Sequence, residues 1–355
     1  MTRGLLAVGR ETRKVTPEFA DFFPTSRQRQ ETMTKAMRIH KTGGPEVMQW
    51  EDIDVPAPGK GEARIRHTAV GLNYVDTYQR SGLYPFPLPM IIGSEGAGVV
   101  EAVGPEVTEV NVGDRVAYGN APPGAYAEAR NLPAHRLVKL PAGISDQQAA
   151  SMMLKGLTTW YLIRMTYPVK KGDTILFHAA AGGVGLILGQ WAKHLGATLI
   201  GTVSSADKAK LAKSHGYDHS INYKEQNFVD EVKKLAPGGL PVVYDGVGKD
   251  TWEGSLNCLQ PRGLMVSFGN ASGAVPPVNL GILSTKGSLY VTRPTLATHV
   301  ARREELVRGS NELFDVVSRG IVKIEVNQTY PLKDAAQAHR DLESRKTTGS
   351  TVFTV

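Results

Sequence analysis

A glycine-rich turn between a predicted strand and a predicted helix carries the residues with the clearest chemical purpose. The apolar run Thr174–Phe177 leads into the spacing A-x-x-G-x-x-G, formed by Ala179, Gly182 and Gly185, with Gly183 and Val184 between them. Glycine at the second position lets the backbone approach a pyrophosphate closely, and glycine at the third lets the helix pack on the strand. Free N–H groups and the helix dipole then attract phosphate. The turn therefore predicts a dinucleotide site.

The tip of the next strand bears on which dinucleotide binds. Gly201–Val203 reads as that strand, and its tip is Ser204 instead of the carboxylate that commonly holds the ribose of NAD. Lys208 lies within reach of the same spot. A carboxylate would repel the 2′-phosphate of NADP, whereas hydroxyls and an ammonium group would bind it, so the tip favours NADPH. The alternative is that Lys208, beside Asp207, is a solvated lysine at a helix start.

The cysteine count, the apolar runs and the net charge limit the classes of protein to which this chain could belong. The single cysteine, Cys258, excludes an intramolecular disulfide and any cysteine-clustered metal site, and it suits a cytoplasmic location. No run approaches the ~20 apolar residues that would span a membrane. The net charge of +7 over 355 residues is a mild excess without a basic cluster, so a nucleic-acid partner is disfavoured.

The order of predicted elements indicates two domains. Short strand-like runs separated by turns fill the region from Met37 to Leu140 and predict a barrel-like domain. From Asp173 onward strands alternate with helices, which predicts a doubly wound parallel sheet. The predicted strands are Ala36–His40, Ala63–His67, Gly98–Val103, Asp114–Tyr118, Thr174–Phe177, Gly201–Val203, Asp218–Asn222, Val242–Tyr244, Gly263–Phe268, Gly287–Tyr290, Ile324–Val326 and Thr351–Val355. Helices are predicted at Arg303–Ser318 and Lys333–Ser344, and the last strand is predicted to return to the N-terminal domain.

Residues 1–32 differ from the rest of the chain. They contain scattered arginines and acids without a clear period, no continuous apolar core, and too many acids for a mitochondrial presequence. We predict a disordered extension or an upstream mis-assigned start, with Met33 as the natural initiator.

Several blocks together resemble a known family. The chain is similar from Met37 to Val355 to the zinc-free quinone oxidoreductases of the medium-chain dehydrogenase/reductase superfamily, which includes zeta-crystallin. The blocks are Gly43–Glu46, Gly71–Tyr84, Gly93–Val100, Leu154–Thr158, Ala179–Gly185 and Gly287–Pro294. The resemblance implies an α/β chain with a GroES-like β-rich catalytic domain over 33–157 and 296–355, and a Rossmann NADPH-binding domain over 158–295.

One departure from the zinc-dependent relatives is informative. Those enzymes have Gly-His-Glu where this chain has Gly93-Ser94-Glu95, and their histidine binds zinc. Ser94 removes that ligand, so metal-assisted alcohol oxidation is disfavoured and no metal site is expected. Without a metal, Glu95 is expected to be a structural, hydrogen-bonded acid.

The resemblance also implies a set of site residues in a cleft between the domains. The expected catalytic residues are Asn73, Tyr78 and Arg293. The expected cofactor-binding residues are Asn73, Asp76, Tyr78, Thr158, Tyr161, Ala179, Gly182, Gly183, Val184, Gly185, Ser204, Lys208, Tyr223, Val247, Phe268, Asn270, Ser272 and Arg345, with Arg345 joining Lys208 at the 2′-phosphate.

Each of these has a structural alternative. Tyr78, Tyr161 and Tyr223 could be half-buried aromatics. Asp76 could cap a helix, and Phe268 could belong to the core. His178 and Lys155 are interpreted as structural residues.

The resemblance implies an NADPH:quinone oxidoreductase that needs positioning and electrostatics but no dedicated acid pair. Two alternatives stay open: an NADPH-dependent enone or alkenal C=C reductase of the same superfamily, and an NADPH-binding structural or RNA-binding protein. A homodimer is expected through the strand edge near Gly287–Val291.

Overall fold

A computed structural model describes Met1 and residues 32–120 and 122–355. The prediction for residues 1–32 therefore lies almost wholly outside the described residues. Thr32 is described, and it begins the first strand. The strand predicted to start at Ala36 starts four positions earlier because residues 32–39 pair along their whole length with residues 48–55.

The N-terminal part of the described chain is a β-rich unit. A three-stranded sheet has the order β2-β1-β4, and a seven-stranded sheet is built around β3 and β5. Its elements are β1 (Thr32–Ile39), β2 (Met48–Val55), β3 (Glu62–Leu72), α1 (Tyr74–Ser81), β4 (Met90–Ile91), β5 (Glu95–Val103), β6 (Arg115–Gly119), β7 (Ala129–Pro133) and β8 (Val138–Lys139). Buried side chains of these strands and of the segments between them, Ile39, Ile65 and Tyr126 among them, form one apolar core.

A long helix, α2 (Asp146–Trp160), leads out of this unit. Ser145 caps it, because its hydroxyl accepts the backbone N–H of Gln148 at 3.2 Å. The helix lies very close to β3, since a Cβ added to Gly71 would stand 2.0 Å from the carbonyl oxygen of Ala150. It continues as a π-helical turn over Tyr161–Thr166, a form that is frequent at functional sites.

The middle of the chain is a six-stranded parallel sheet in the order β11-β10-β9-β12-β13-β14, which confirms the predicted doubly wound sheet. The strands are β9 (Thr174–Phe177), β10 (Thr198–Val203), β11 (His219–Asn222), β12 (Leu240–Asp245), β13 (Leu259–Ser267) and β14 (Tyr290–Thr292), and the helices are α3 (Gly183–His194), α4 (Ala206–Ser214), α5 (Phe228–Leu235), α6 (Trp252–Asn257) and α7 (Gly281–Thr285). The apolar runs of β9 and β12 are buried, as expected for strands covered on both faces.

The C-terminal segment returns to the first unit. It contains α8 (Leu296–His299), α9 (Arg303–Ser318), β15 (Val326–Pro331), α10 (Ala335–Glu343) and β16 (Ser350–Thr354). Strand β16 pairs antiparallel with β3, which confirms the predicted return of the last strand. The domain boundaries at 157/158 and 295/296 stay a prediction.

Two predicted strands begin two or three residues later than expected. The run Gly287–Tyr290 enters the sheet only at Tyr290, because Gly287 and Ser288 have left-handed φ values of 106° and 57°. The strand predicted at Ile324–Val326 begins at Val326 and continues to Pro331. In both cases the predicted strand starts before the residues that pair.

Candidate active site

The glycine-rich turn has the predicted strand–turn–helix form. After β9 the backbone turns at Ala179, whose φ is 60°, and α3 begins at Gly183 with Gly182 as its N-cap. A Cβ on Gly185 would stand 2.5 Å from the carbonyl oxygen of Ala180, so only glycine allows this packing. A Cβ on Gly182 would approach only the carbonyl oxygen of Ala179, at 3.2 Å, which leaves its other side open. Unpaired N–H groups at the start of a helix are suited to an anion such as a pyrophosphate.

The tip of β10 carries a cluster of basic groups. Ser204 directly follows the strand and is half-buried, and Ser205 caps α4 by accepting the backbone N–H of Lys208 at 3.3 Å. The ammonium group of Lys208 donates to the carbonyl oxygen of Arg345 at 3.0 Å. Arg345 in turn donates from Nη1 to the hydroxyl of Tyr223 at 3.0 Å. The structure thus brings together Lys208 and Arg345, which are predicted for the 2′-phosphate, and Tyr223, which is predicted for the adenosine end of the cofactor.

The charge at this tip is not neutralised locally. Asp207, which could have paired with Lys208, lies 3.6 Å from Lys210 instead. Partial burial lowers the pKa of Lys208, and the positive charges of Arg345 and Lys224 lower it further. Lys224 is a residue that sequence reasoning missed. An anion bound here would relieve the repulsion among these cations, so the tip has the electrostatics of a phosphate site.

Asn73 and Asp76 lie at the start of α1. The carboxylate of Asp76 accepts the backbone N–H of Asn73 at 2.9 Å, and the side-chain amide of Asn73 donates to Glu95 Oε2 at 2.8 Å. Asp76 has no exposed surface. Its carboxylate also accepts hydrogen bonds from Ser94 at 3.2 Å and from Tyr126 at 3.0 Å. We therefore assign Asp76 a structural role at the start of α1, where it caps the helix; this role is the alternative to cofactor binding.

Tyr78, further along α1, contacts the loop after β13. Its hydroxyl oxygen accepts the backbone N–H of Asn270 at 3.2 Å. Burial is the main cause of the raised pKa of Tyr78, so the phenol stays protonated at neutral pH. Its ring packs edge-on against Tyr84, with centroids 5.2 Å apart. Tyr84 is a second residue that sequence reasoning missed, although it ends the Gly71–Tyr84 block.

Arg293 joins the same group of side chains. It donates from Nη1 to the carbonyl oxygen of Ser267 at 3.0 Å and from Nη2 to the hydroxyl of Tyr84 at 3.3 Å. The side-chain oxygen of Asn270 faces Arg293 Nη2 at 3.2 Å, an orientation that follows because an arginine nitrogen can only donate. Tyr78, Tyr84, Asn270 and Arg293 therefore form one polar aromatic cluster.

Tyr161 lies beside this cluster at the end of α2, one turn after Thr158. Its ring stacks on His299 at 4.5 Å between centroids. Burial raises the pKa of Tyr161, and the positive charge of Arg293 opposes the shift. Arg293 and His299 also line a cavity of about 420 Å³. This cavity provides room for a ligand next to Arg293, one of the three predicted catalytic residues.

The loops after β12 and β13 are held against each other. Ser272 donates its backbone N–H to the carbonyl oxygen of Val247 at 2.8 Å and its hydroxyl to the same oxygen at 2.9 Å. Phe268 donates its backbone N–H to the carbonyl oxygen of Asp245 at 2.8 Å, and its ring lies 5.7 Å from that of Phe177. The four residues predicted on these loops, Val247, Phe268, Asn270 and Ser272, are thus adjacent at the carboxyl edge of the sheet, where ligands of such sheets bind.

Two residues interpreted as structural are buried and fully engaged. His178 lies between Thr202 Oγ1 at 3.0 Å and Ser255 Oγ at 2.9 Å, and burial lowers its pKa. Lys155 forms a buried ion pair with Glu95 at 3.1 Å, and Glu95 Oε1 accepts the backbone N–H of Leu154 at 2.8 Å. Glu95 is therefore a hydrogen-bonded structural acid, as expected.

Within the described ranges, no group of three or more His, Cys, Asp or Glu side chains is close enough to hold a metal ion. Ser94 accepts a hydrogen bond from Gln79 at 3.0 Å and donates to Asp76.

In the part of the chain that the structure describes, none of the helices is both long and apolar enough to cross a membrane.

Comparison with known proteins assigns this architecture to a class. Residues 59–142 match the family model "Alcohol dehydrogenase GroES-like domain", and residues 183–306 match "Zinc-binding dehydrogenase". The fold is thus that of a medium-chain dehydrogenase/reductase, with a GroES-like domain and a Rossmann-like parallel-sheet domain.

Individual relatives narrow the class further. A quinone oxidoreductase of Pseudomonas aeruginosa is 58% identical over 323 residues, covering 90% of this chain and 99% of the relative. The crystal structure of Escherichia coli quinone oxidoreductase complexed with NADPH superimposes with a TM-score of 0.89 at 52% identity, over 90% of this chain and 100% of that one. A 2-haloacrylate reductase from Burkholderia is 46% identical over 330 residues, covering 90% of this chain and 99% of the relative. The chain belongs to the quinone oxidoreductase family.

Proposed function

We propose that this protein is an NADPH:quinone oxidoreductase that reduces a small quinone where its two domains meet. The observation that carries the proposal is that the structure contains two separate clusters of side chains, each suited to one of the two ligands. Lys208, Tyr223 and Arg345 form a basic cluster at the tip of β10. A polar aromatic cluster lies at the loop after β13, and its members are Tyr78, Tyr84, Asn270 and Arg293. The first is suited to a 2′-phosphate and the second to a planar carbonyl compound.

The fit of NADPH to this chain rests on three features of the structure. The open side of Gly182 and the start of α3 would hold the pyrophosphate. Lys208 and Arg345 would hold the 2′-phosphate, and Tyr223 would contact the adenosine end. When bound, NADPH supplies the hydride. The protein residues supply binding, orientation and hydrogen bonds.

The phenol of Tyr78 is the strongest candidate to bind a quinone oxygen. Its oxygen already accepts the N–H of Asn270, so its own proton is free to be donated. Because burial keeps the phenol protonated, Tyr78 donates a hydrogen bond to the substrate oxygen while charge develops there. Arg293 adds positive charge next to this oxygen. Water supplies the proton that completes the hydroquinone, since no dedicated acid pair is required.

A second candidate function is reduction of an activated C=C bond. The Burkholderia relative is named a 2-haloacrylate reductase, and it covers as much of this chain as the quinone oxidoreductases do. The same phenol and guanidinium would then polarise a carbonyl or carboxylate conjugated to the double bond. This chemistry also needs a proton at the α-carbon.

Steady-state oxidation of NADPH and NADH distinguishes these functions. The acceptors are 1,4-benzoquinone, 9,10-phenanthrenequinone, a 2-alkenal and 2-chloroacrylate. Fast NADPH-selective turnover with the quinones is the expected result. Fast turnover restricted to the alkenal or the haloacrylate would replace the proposal with C=C reduction. Binding of NADPH without turnover of any acceptor would favour a structural or RNA-binding protein, whose RNA affinity should fall steeply with salt.

We also propose that the protein is a cytoplasmic homodimer. Strand β14 is the outer strand of the parallel sheet, and its residues Tyr290 and Val291 are 61% and 38% exposed. An apolar edge strand of this kind is suited to pairing with its copy across a two-fold axis. The cytoplasmic location is supported by the lone cysteine, Cys258, which is free and buried.

A further inference from the structure

A buried arginine ties the helix that carries Tyr78 to the segment that carries Arg345. Arg80, in the last turn of α1, is 2% exposed. It donates to both carboxylate oxygens of Glu343, at 2.7 and 3.1 Å, in the two-pronged geometry that only arginine provides. Its Nε donates to the carbonyl oxygen of Gly43 at 3.1 Å. Glu343 is the last residue of α10 and precedes Arg345 by two positions.

A second connection runs from Arg80 back to the start of α1. Arg80 Nη1 donates to His339 Nδ1 at 2.8 Å, so the remaining imidazole proton is on Nε2. Nε2 then donates to Tyr126 Oη at 3.0 Å, and Tyr126 donates to Asp76 at 3.0 Å. Burial and the charge of Arg80 lower the pKa of His339 to about 3, so the ring is neutral, as this chain of donors requires. Asp76 holds Asn73 in turn.

Tyr74 is the first residue of α1. Its ring lies 5.7 Å from that of Tyr78 on α1. Burial raises the pKa of Tyr74, the carboxylate of Glu343 raises it further, and Arg345 lowers it. Helix α1, helix α10 and the 343–345 segment form one closely connected body.

This body meets the parallel sheet at the basic cluster. Arg345 extends from the end of α10, whereas Lys208 and Tyr223 extend from α4 and from the end of β11. A 2′-phosphate bound here would take hydrogen bonds from both sides at once. The bound phosphate would then fix the position of the 343–345 segment against the sheet, and Arg80 would transmit that position to α1.

We propose that Arg80 is a positioning residue that couples the 2′-phosphate cluster to Tyr78. On this view the 2′-phosphate of NADPH raises the turnover number as well as the affinity, because it fixes α1 in the orientation in which Tyr78 meets the substrate. The proposal rests on the proposed NADPH-dependent function. Its test therefore includes a measurement that needs no turnover.

The first measurement is amide hydrogen exchange of residues 74–81 in the full-length protein with 2′,5′-ADP, which has the 2′-phosphate but no nicotinamide. We expect 2′,5′-ADP to slow exchange in α1 by about fivefold or more, and 5′-ADP to slow it far less. In Arg80→Lys and in Glu343→Gln the slowing should disappear, although 2′,5′-ADP still binds. Arg115→Lys is the matched control, since Arg115 pairs with Asp146 away from these clusters. Equal slowing in all variants would overturn the coupling.

The second measurement is the turnover number with NADPH and with NADH at saturating quinone. In the wild-type protein the NADPH value should exceed the NADH value. In Arg80→Lys and Glu343→Gln the ratio of the NADPH turnover number to the NADH turnover number should fall about fivefold, toward one. The turnover number with NADH should change little. An equal loss with both cofactors would show a merely structural role and overturn the proposal. Absence of quinone turnover in the wild type would refute the proposed function, while the exchange measurement would still decide the coupling.

Discussion

The backbone N–H of Asn270 donates to the hydroxyl oxygen of Tyr78 at 3.2 Å, and this contact joins the loop after β13 to helix α1. The hydrogen bond occupies the oxygen and leaves the phenolic proton available. It also makes that proton a better donor, because hydrogen bonds in a chain polarise one another. The position of Tyr78 is thus set by the residues at the carboxyl edge of the parallel sheet as well as by its own helix.

Replacing Tyr78 tests the hydrogen bond proposed for the quinone oxygen. In Tyr78→Phe we expect kcat/KM for 1,4-benzoquinone to fall about 10-fold, the cost of one hydrogen bond to a developing charge. The dissociation constant of NADPH, from quenching of protein fluorescence, should change far less. Tyr330→Phe is the control, because the hydroxyl of Tyr330 donates to Asp341 on α10 and, among the described residues, to no member of the two clusters. Unchanged turnover in Tyr78→Phe would show that another group binds the oxygen.

Replacing Lys208 tests the cofactor preference. In Lys208→Ala we expect KM for NADPH to rise about 10-fold or more and KM for NADH to stay within about twofold, because only NADPH has the 2′-phosphate. Lys210→Ala is the control, since Lys210 is 82% exposed and pairs with Asp207 on the same helix. A rise of equal size for both cofactors would mean that Lys208 supports the fold of the tip and does not bind phosphate.

The fold and the glycine turn were predictable because their signals are local. The strand Thr174–Phe177 and the helix Arg303–Ser318 have the predicted bounds, since hydrophobic periodicity and turn residues determine such elements. The strand predicted at Gly287–Tyr290 begins only at Tyr290, because the left-handed backbone at Ser288 is not apparent from the residue types. The family resemblance supplied most of the site residues, and their roles stay predictions.

The connections among the site residues could not be predicted, because they depend on distant pairings. Arg80 and His339 are 259 positions apart, and Tyr126 lies between them in a strand-connecting segment. In the sequence, Arg80 is an ordinary polar residue of a helix end. Only the packing of α10 against α1 makes it a buried donor with four contacts. Tyr84 was missed for the same reason, since its partner Arg293 comes from the far end of the parallel sheet.

The exposed edge of β14 leads to a prediction about assembly. In a Val291→Lys variant we expect the mass in solution to fall from that of a dimer to that of a monomer, because lysine on an edge strand opposes pairing with another edge. The measurement is size-exclusion chromatography with light scattering. Val112→Lys is the matched control, since Val112 is also an exposed valine, at 61%, but lies in the β-rich unit. A Val291→Lys protein that remains dimeric would place the interface elsewhere.

The buried carboxyl of Asp76 leads to a prediction about stability and pH. Burial raises the pKa of Asp76 from 3.8 to about 7, against the opposing effect of the donors Asn73, Tyr126 and Ser94. Between these two values the folded protein holds a proton that the unfolded chain releases, so the free energy of unfolding falls as pH rises from about 4 to about 7. Above pH 7 both states are ionised and this contribution stays constant.

The test compares the wild type with Asp76→Asn in denaturant unfolding at pH 5 and pH 8. Asparagine does not ionise, and the other titrating groups, including His67 and His339, are common to both proteins and cancel in the difference. We expect the free energy of unfolding of the wild type to fall by on the order of 2 kcal/mol relative to Asp76→Asn between pH 5 and pH 8. This corresponds to the part of the Asp76 pKa shift that lies between pH 5 and pH 7. A difference that is the same at both pH values would show that Asp76 is ionised in the folded protein throughout. Its three hydrogen-bond donors would then outweigh its burial, and the carboxylate would hold Asn73 as an anion.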